Sequence, residues 1–389
     1  MTGPIHNGAR RAVTLLAILT PLGCGNHQDS DGSRLRVAEA LRAQGVSLTG
    51  FRKADRPRDF VFPADHGPHE DFRSEWWYWT GNLSAEDGRR FGFHFTIFRT
   101  ALAPDSDRDR ENDSAFRTSQ LYMAHFALAD IANDAVYDAE RFARGAGGLA
   151  GSRSAPFRVH VEDWEAIDLE EAARSGESIR LRAEDSEDGI AFGLDLELES
   201  LRGIVLQGDD GLSKKSSTGD AASYYYSIPR MAVHGDVRID GDTVPVNGSA
   251  WFDREWSTSA LDRDQVGWDW FALQLDDERE LMFYRLRRTD GSMDPISQGV
   301  LVSNDRVRRL SADEVELTAE RFWESSETEA RYPIEWTLRV PEEKLELRIE
   351  AAIEDQELDL SFRYWEGAVR ISGSSNGVGY LEMTGYADR

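Results

Sequence analysis

Several common features are scarce or missing in this sequence. Cys24 is the only cysteine among the 389 residues, so no disulfide can form within the chain. No apolar run reaches the roughly 20 residues that a membrane-spanning helix needs. The sequence also contains no P-loop, no dinucleotide-binding glycine motif, no HExxH and no CxxC. We therefore expect no bound metal and no cofactor.

Positive charge is also scarce. The 45 Lys and Arg residues, of which four are Lys, face 71 Asp and Glu residues, and the formal charge is −26. Because almost nothing neutralises phosphates, we expect no nucleic-acid partner and no attraction to anionic lipid head groups. The simplest explanation of the negative charge is that it keeps the protein soluble.

Aromatic residues, in contrast, are abundant. The chain has 11 Trp, 11 Tyr and 18 Phe, and 40% of its residues are hydrophobic. This content permits large cores and favours a pocket for a bulky apolar small molecule.

The N-terminus resembles a bacterial export signal. Arg10 and Arg11 precede the short apolar run 12–22, and Gly23 stands directly before Cys24. The run is too short to cross a membrane, so we predict a signal peptide over residues 1–23. The Gly-Cys junction resembles a lipobox and predicts lipidation of Cys24, which would hold the protein at the periplasmic face by a lipid anchor. Ordinary secretion is the alternative.

The body of the chain has the pattern of an all-β protein. Residues 24–58 are predicted to form a tether with a short helix near 34–44, and period-2 alternation dominates from residue 60 onward. An aromatic strand, an acidic turn and a second aromatic strand occur near residue 76 and again near residue 268. This weak repeat predicts two related β domains, at residues 59–227 and 228–389.

One strand carries a candidate acid pair. Trp251, Asp253 and Glu255 alternate, so all three side chains should lie on one face of the strand. An apolar wall and a like charge both raise the pKa of a carboxyl group, which would make one of these acids a proton donor. The alternative is a solvated face, or a salt bridge to Arg254 or Arg285.

A second aromatic strand has bulky side chains on both faces. Glu75, Trp77 and Trp79 should share one face, with Trp76 and Tyr78 on the other. Such a strand is buried on both sides or separates a core from a pocket. We expect Glu75 to pair with an arginine.

Two further motifs have ordinary structural explanations. His66 and His69 lie in a Gly/Pro loop and could bind a metal with His94 and His125, but we favour hydrogen bonds that fasten the loop. The GxSxG pattern at 373–377 lies between two predicted strands rather than between a strand and a helix. It therefore indicates a hairpin turn instead of a nucleophilic serine.

The longest motif in the sequence is specific enough to indicate a family. The block has the pattern Phe62-Pro63-x-Asp65-His66-Gly67-x-His69-x-x-Phe72-Arg73-x-Glu75-Trp76-Trp77-Tyr78-x-Thr80-Gly81. It resembles the signature of the AttH/CrtC family, which comprises the lipocalin-like hydroxyneurosporene synthases (carotenoid 1,2-hydratases) and secreted relatives described as predicted hydrolases. Further matches occur at 144–151, 206–215, 222–227, 251–256, 267–271 and 364–369, so the resemblance covers about residues 60–386.

The resemblance implies two lipocalin-like antiparallel β-barrels in tandem and, in the hydratases, addition of water across a C=C bond. It carries the catalytic acid over to Asp253, and we add Glu255 as its partner. Where the hydratases have a histidine, this chain has three tyrosines at 224–226, so carotenoid is not implied as the substrate. Our predicted ligand-binding residues are Trp76, Trp77, Tyr78, Tyr224, Tyr226, Trp251, Trp268 and Trp270. We expect Asp253 to line an interior cavity with Trp251 and at least one of Tyr224 and Tyr226.

Two function classes remain open at this point. One is an enzyme that acts on a large isoprenoid- or lipid-like molecule in a barrel pocket, by hydration or hydrolysis with a carboxylic acid as catalyst or by a pericyclic-type rearrangement. The other is a non-catalytic lipoprotein that binds such a molecule and serves an ABC-transporter permease, as some relatives are encoded beside such permeases. A buried Asp253 beside aromatic rings favours the enzyme, and a salt bridge to arginine favours the binding protein.

Overall fold

The structure is a computed structural model and describes residues 49–104, 118–169, 176–216, 221–258, 262, 264–304 and 306–387. These residues form antiparallel strands and three short 3-10 turns (Ala64–His66, Ala312–Glu314 and Pro341–Glu343). None of their helices has the length and apolarity of a membrane span. The predicted all-β class is confirmed. The predicted signal peptide, the short helix near 34–44 and Cys24 all lie outside the described residues.

The first sheet has thirteen strands. Its central path runs β4-β3-β2-β1-β13-β12-β9-β8-β7-β6-β5, and β10 and β11 both pair with β12. The strands are β1 (Ser74–Ala85), β2 (Arg90–Ala101), β3 (Gln120–Asp130), β4 (Ala135–Arg144), β5 (Ala150–Ser154), β6 (Phe157–Val161), β7 (Trp164–Asp168), β8 (Ser178–Glu187), β9 (Ile190–Ser200), β10 (Val205–Leu206), β11 (Leu212–Lys214), β12 (Ala222–Ile239) and β13 (Asp242–Ser257).

The second sheet has ten strands. Its path runs β17-β16-β15-β14-β23-β22-β20-β19-β18, with β21 paired to β22. The strands are β14 (Gln265–Leu275), β15 (Arg279–Arg288), β16 (Gln298–Ser303), β17 (Arg306–Ser311), β18 (Glu316–Glu324), β19 (Arg331–Val340), β20 (Leu345–Ala351), β21 (Glu357–Leu358), β22 (Tyr364–Gly373) and β23 (Gly377–Met383).

Both sheets follow the same plan. In each, the first four strands form consecutive antiparallel neighbours, and the last strand of the sheet then pairs with its first strand. The two halves of the weak sequence repeat are the hairpins β1–β2 and β14–β15, which open the two sheets. Each sheet curls into a nearly closed barrel, as the lipocalin-like prediction requires.

The first sheet ends at Ser257, which lies 30 residues after the predicted domain boundary at 227/228. That position falls inside β12, which pairs with β13, and β13 in turn pairs along its length with β1. The strand that carries the candidate acids therefore completes the first sheet, and the second sheet begins at Gln265. Residues 228–239 contain Pro229 and Gly235, yet β12 runs through this segment with a register shift between Ile228 and Met231.

Four apolar clusters form the core of the described residues, and the smallest joins Ala127 of the first sheet to Leu358 and Tyr364 of the second. Alternate residues of the first sheet, among them Trp77, Trp79 and Tyr226, fill the first barrel, and Trp336 and Trp365 lie in the second. The third cluster combines residues of both sheets, with Tyr78, Tyr225 and Trp251 from the first sheet and Trp270 and Tyr284 from the second. The two sheets therefore pack against each other through their outer aromatic faces, where the candidate acids lie.

Candidate functional site

The register of two strand pairs, β1–β13 and β12–β13, places the candidate acids on the outer face of the first sheet. Asp253 on β13 stands opposite Ser227 on β12 and Tyr78 on β1. In the next row, Glu255 stands opposite Tyr225 and Trp76. Since directly opposite residues share a face, these side chains form a compact group that the second sheet covers.

Asp253 is the centre of this group. Its side chain accepts hydrogen bonds from the Tyr225 hydroxyl, from Ser227 Oγ at 2.5 Å and from Trp251 Nε1 at 2.7 Å. The residue is only 4% exposed. Burial raises the pKa of Asp253 to about 7, with a further contribution from the Glu255 charge, although the three donors oppose the shift. The carboxyl group is therefore partly protonated at neutral pH.

Glu255 has a different environment, because it is paired with a base. Lys215 Nζ lies 3.4 Å from Glu255 Oε1 and 4.4 Å from the centre of the Tyr284 ring. Burial alone would lower the pKa of Lys215, but the charges of Glu255 and Tyr284 raise it. The alternative salt bridge to Arg254 or Arg285 does not form, since Arg254 pairs with Glu75 and Arg285 with Asp269.

The second sheet contributes two more buried carboxyl groups. Tyr78 of the first sheet donates a hydrogen bond to Glu366, and Trp268 Nε1 donates to Glu382 Oε1 at 3.0 Å. Burial raises the pKa of Glu382 to about 8, helped by the charges of Asp253 and Glu255. Burial and the neighbouring Glu382 also raise the pKa of Glu366 well above its ordinary value. Acids from both sheets thus share one low-dielectric region.

Two histidines extend the group along the first sheet. His94 Nδ1 lies 3.3 Å from Glu366 Oε2. His125 Nδ1 lies 2.8 Å from the Tyr364 hydroxyl, and its Nε2 lies 3.0 Å from Glu140 Oε2. Burial lowers the pKa of both histidines, so both are neutral near pH 7. Sequence reasoning had assigned these histidines only to a disfavoured metal site.

Such a group of side chains is suited to proton transfer on an apolar molecule. A neutral carboxylic acid can donate a proton, and a second carboxyl group can accept one. The rings of Trp251, Trp270 and Tyr78 surround these acids and can stabilise a cation by their electron-rich faces. The group therefore combines an acid, a base and a cation-stabilising wall.

Five of the eight predicted ligand-binding aromatics lie in or against this cluster: Trp76, Tyr78, Trp251, Trp268 and Trp270. The other three, Trp77, Tyr224 and Tyr226, lie inside the first barrel. We expected Tyr224 or Tyr226 beside Asp253, and this expectation is wrong. Strand alternation sends both to the inner face, and Tyr225 between them reaches Asp253 instead.

The amino-acid sequence alone does not distinguish the two acids of the second sheet, Glu366 and Glu382, from the many other carboxylates of the chain. Glu366 belongs to the quoted block at 364–369, but no residue chemistry distinguished it there. Glu382 stands in a strand of alternating small and apolar residues and carries no motif. Only the packing of β22 and β23 against the first sheet brings these residues to Asp253.

Glu75, the first residue of the Glu-Trp-Trp-Tyr block, has a structural role. Glu75 accepts hydrogen bonds from Arg99 and Arg254, and all three side chains are completely buried. Burial would raise the pKa of Glu75, but the two guanidinium groups hold it well below its ordinary value. The predicted arginine partner of Glu75 is confirmed.

The histidine loop is fastened to this ion pair network. His69 Nε2 lies 2.9 Å from Asp65 Oδ1, and the His69 ring stacks on Trp256 at 3.7 Å. His66 Nδ1 lies 2.6 Å from the Tyr226 hydroxyl. Among the described residues, no three His, Cys, Asp or Glu side chains form a metal-binding group. The favoured explanation, a hydrogen-bonded loop, agrees with these contacts.

The GxSxG segment is the turn between β22 and β23, as predicted, and Ser374 Oγ hydrogen-bonds the backbone of Glu346. A nucleophile on a strand-to-helix turn would need a helix after it. The serines of this motif therefore serve the hairpin.

Comparisons with known proteins identify the family. The family profile described as AttH-like matches residues 53–386. A crystal structure of an AttH protein from Nitrosomonas europaea is 35% identical, with a TM-score of 0.75, and the match covers 86% of this chain and 100% of that one. Kievitone hydratase from Nectria haematococca shares the fold at 16% identity and a TM-score of 0.62, over 87% of this chain and 99% of that chain. No curated protein matches the sequence significantly. The match over nearly the whole described body, together with the predicted signature block, shows that the chain belongs to the AttH-like family.

Proposed function

We propose that the protein binds a large apolar molecule between its two sheets and adds water across a C=C bond of that molecule, with Asp253 as the acid. We also propose that it is exported and held at a membrane by a lipid on Cys24. Hydrolysis of an apolar ester at the same acids is a variant of this proposal.

The environment of Asp253 carries the proposal. Its three hydrogen-bond donors, Tyr225, Ser227 and Trp251, are all neutral side chains. The one lysine nearby is engaged by Glu255. A structural carboxylate would be expected to pair with a cation, as Glu75 does with its two arginines. Asp253 instead keeps a proton near neutral pH because it is buried.

The reaction follows from this arrangement. The Asp253 carboxyl transfers its proton to one alkene carbon, and the second carbon becomes a carbocation. Aromatic faces of the interface stabilise that charge. Water then adds to the cation and gives up one proton to the Asp253 carboxylate that the first step left, which restores the acid. One proton is given and one is recovered, so the net reaction consumes water only.

The fold is compatible with this chemistry, because kievitone hydratase has the same two-barrel architecture. That likeness concerns the fold, whereas the choice of reaction depends on the acids described above. We do not propose the substrate of kievitone hydratase as the substrate of this protein.

The proposal is tested on the protein purified from its own host. Native mass spectrometry identifies a retained apolar molecule, which is then incubated with the protein in ¹⁸O-labelled water. We expect ¹⁸O in a product with wild-type protein and none with Asp253→Asn. Asp163→Asn, at a 77% exposed side chain between β6 and β7, is the matched control and should behave as wild type.

A retained molecule that wild-type protein returns unchanged would overturn catalysis. The non-catalytic function, delivery of an apolar ligand to an ABC transporter, would then be preferred. An absence of any retained or bound apolar molecule would overturn both functions.

A further inference from the structure

A row of apolar side chains leads from the candidate acids to the edge of the first sheet. We call Trp76, Phe98, Met123 and Phe142, with the adjacent Leu121, the apolar strip. Trp76 is opposite Phe98, Phe98 is opposite Met123, and Met123 is opposite Phe142. The strip therefore crosses four neighbouring strands, β1 to β4, on the outer face of the sheet.

The strip begins at the candidate site. Trp76 is opposite Glu255 on β13 and packs against the aromatic cluster between the sheets. The parallel row beside the strip contains Asp253, Tyr78 and His125. Phe98 also contacts the His125 ring, at 5.3 Å between ring centres. The apolar and the ionisable rows are thus continuous over their whole length.

Exposure increases along the strip. Trp76, Phe98 and Met123 are half-buried, whereas Phe142 is 60% exposed and Leu121 is 41% exposed. Large exposed apolar side chains are common singly, but a contiguous set that adjoins a polar buried site indicates a binding surface. The gradient has the form of a channel wall that opens toward solvent.

We propose that the apolar strip binds the chain of an elongated apolar substrate whose reactive end lies at Asp253. This inference rests on the proposed function and specifies the shape of the ligand. With neighbouring strands about 4.8 Å apart, the distance from β13 to β4 is about 19 Å. A linear hydrocarbon chain of that length fits the row, and a compact ligand would leave Phe142 uncovered.

Continuity with the acids distinguishes this occupant from a second copy of the protein. The inner end of the strip is formed by Trp76, which the second sheet already borders, so a flat partner surface would reach only Phe142 and Leu121. A thin chain can follow the whole row. Phe362, in the segment before β22, lies 5.2 Å from His125 between ring centres and adds an apolar wall.

The test uses competition between two alcohols and fluorescent all-trans-retinol for the full-length protein. Hexadecanol is long enough to reach Phe142, and octanol is not. Phe142→Ser and Met123→Ser should each weaken hexadecanol binding about fivefold, which corresponds to loss of part of an apolar contact, and leave octanol binding within twofold. Phe322→Ser is the matched control, because Phe322 is 45% exposed on β18 of the second sheet; it should change neither affinity.

The outcomes separate the two levels of the proposal. Hexadecanol binding that neither strip variant weakens overturns the strip alone. If neither alcohol binds the wild-type protein, the proposed function and the strip both fail. A wild-type dimer that Phe142→Ser dissociates, seen by analytical ultracentrifugation, would assign the exposed end to an interface between copies and overturn the inference.

Discussion

The hydroxyl group of Tyr225 donates a hydrogen bond to Asp253 and accepts one from Trp270 Nε1 at 3.2 Å. Tyr225 and Asp253 belong to the first sheet, and Trp270 belongs to the second. This single hydroxyl therefore links the candidate acid to the covering sheet. Its loss should change the acid without disturbing either barrel core.

Tyr225→Phe should raise the pKa of Asp253 further. The hydrogen bond from Tyr225 stabilises the carboxylate form, so its removal favours the protonated form. A pH titration of the Asp253 carboxyl by ¹³C NMR measures the change. Tyr224→Phe removes a neighbouring hydroxyl on the opposite face, where it bonds the Arg56 carbonyl, and should leave the titration unchanged. Equal shifts in both variants would contradict the assignment.

The stability of the protein should depend on Asp253 in a defined direction. The carboxyl has a pKa of about 7 when folded and 3.8 ordinarily, so between these values the folded state holds a proton that the unfolded state has lost. The contribution of this group to the free energy of unfolding is fully present below pH 3.8 and is lost as the pH rises through about 7.

Asp253→Asn removes this dependence, so its unfolding free energy relative to wild type should increase with pH, by at most about 4 kcal/mol. Urea denaturation at a series of pH values measures it. A difference that falls as the pH rises would be inconsistent with a buried neutral acid.

The acids of the two sheets should titrate together. The charge of Asp253 contributes to the raised pKa of Glu382, after burial, so Asp253→Asn should lower the pKa of Glu382 from about 8. Trp268, whose indole donates to Glu382, provides a fluorescence signal for this titration. Glu197→Gln, on the surface of β9, is the control. An unchanged Trp268 titration in Asp253→Asn would place the two carboxyl groups too far apart to cooperate.

Glu75 should be essential for folding. Glu75→Gln leaves the buried guanidinium groups of Arg99 and Arg254 without their counter-charge, which typically costs about 3–5 kcal/mol. Chemical denaturation measures the loss. Glu324→Gln removes an exposed carboxylate 4.0 Å from Arg331 and should cost less than about 1 kcal/mol. Similar losses in the two variants would exclude a special role for the Glu75 pair.

Local periodicity predicted those parts of the fold and site that depend on single strands. The shared face of Trp251, Asp253 and Glu255 and the division of Trp76 and Tyr78 from Trp77 both follow from alternation, and the structure confirms them. The expectation that Tyr224 or Tyr226 lies beside Asp253 was wrong because the phase of β12 relative to β13 is set by cross-strand pairing.

The remaining parts depend on contacts between distant segments. Lys215 reaches Glu255 from the segment after β11, and Glu366 and Glu382 reach the site from the second sheet. Carboxylates are too frequent in this acidic sequence for composition to select these residues. The end of the first sheet was also misplaced, because the pairing of β13 with β1 joins residues up to 183 positions apart in the chain.

Cys24 is expected to carry the lipid anchor. Cys24→Ser should move the protein from the membrane fraction to the soluble fraction of its host, because the acylated cysteine is the attachment point. Immunoblots of the two fractions measure the change. Wild-type protein found only in the soluble fraction would contradict lipidation and favour ordinary secretion.

The most direct test of the account is the pKa of Asp253 itself. ¹³C NMR of the protein labelled at aspartate carboxyl carbons, with Asp253→Asn to assign the resonance, gives this value without any substrate. The account predicts a midpoint at about 7, as expected for a buried acid with neutral hydrogen-bond donors. A midpoint at or below the ordinary 3.8 would show a permanent carboxylate at neutral pH and would contradict the role of Asp253 as a proton donor.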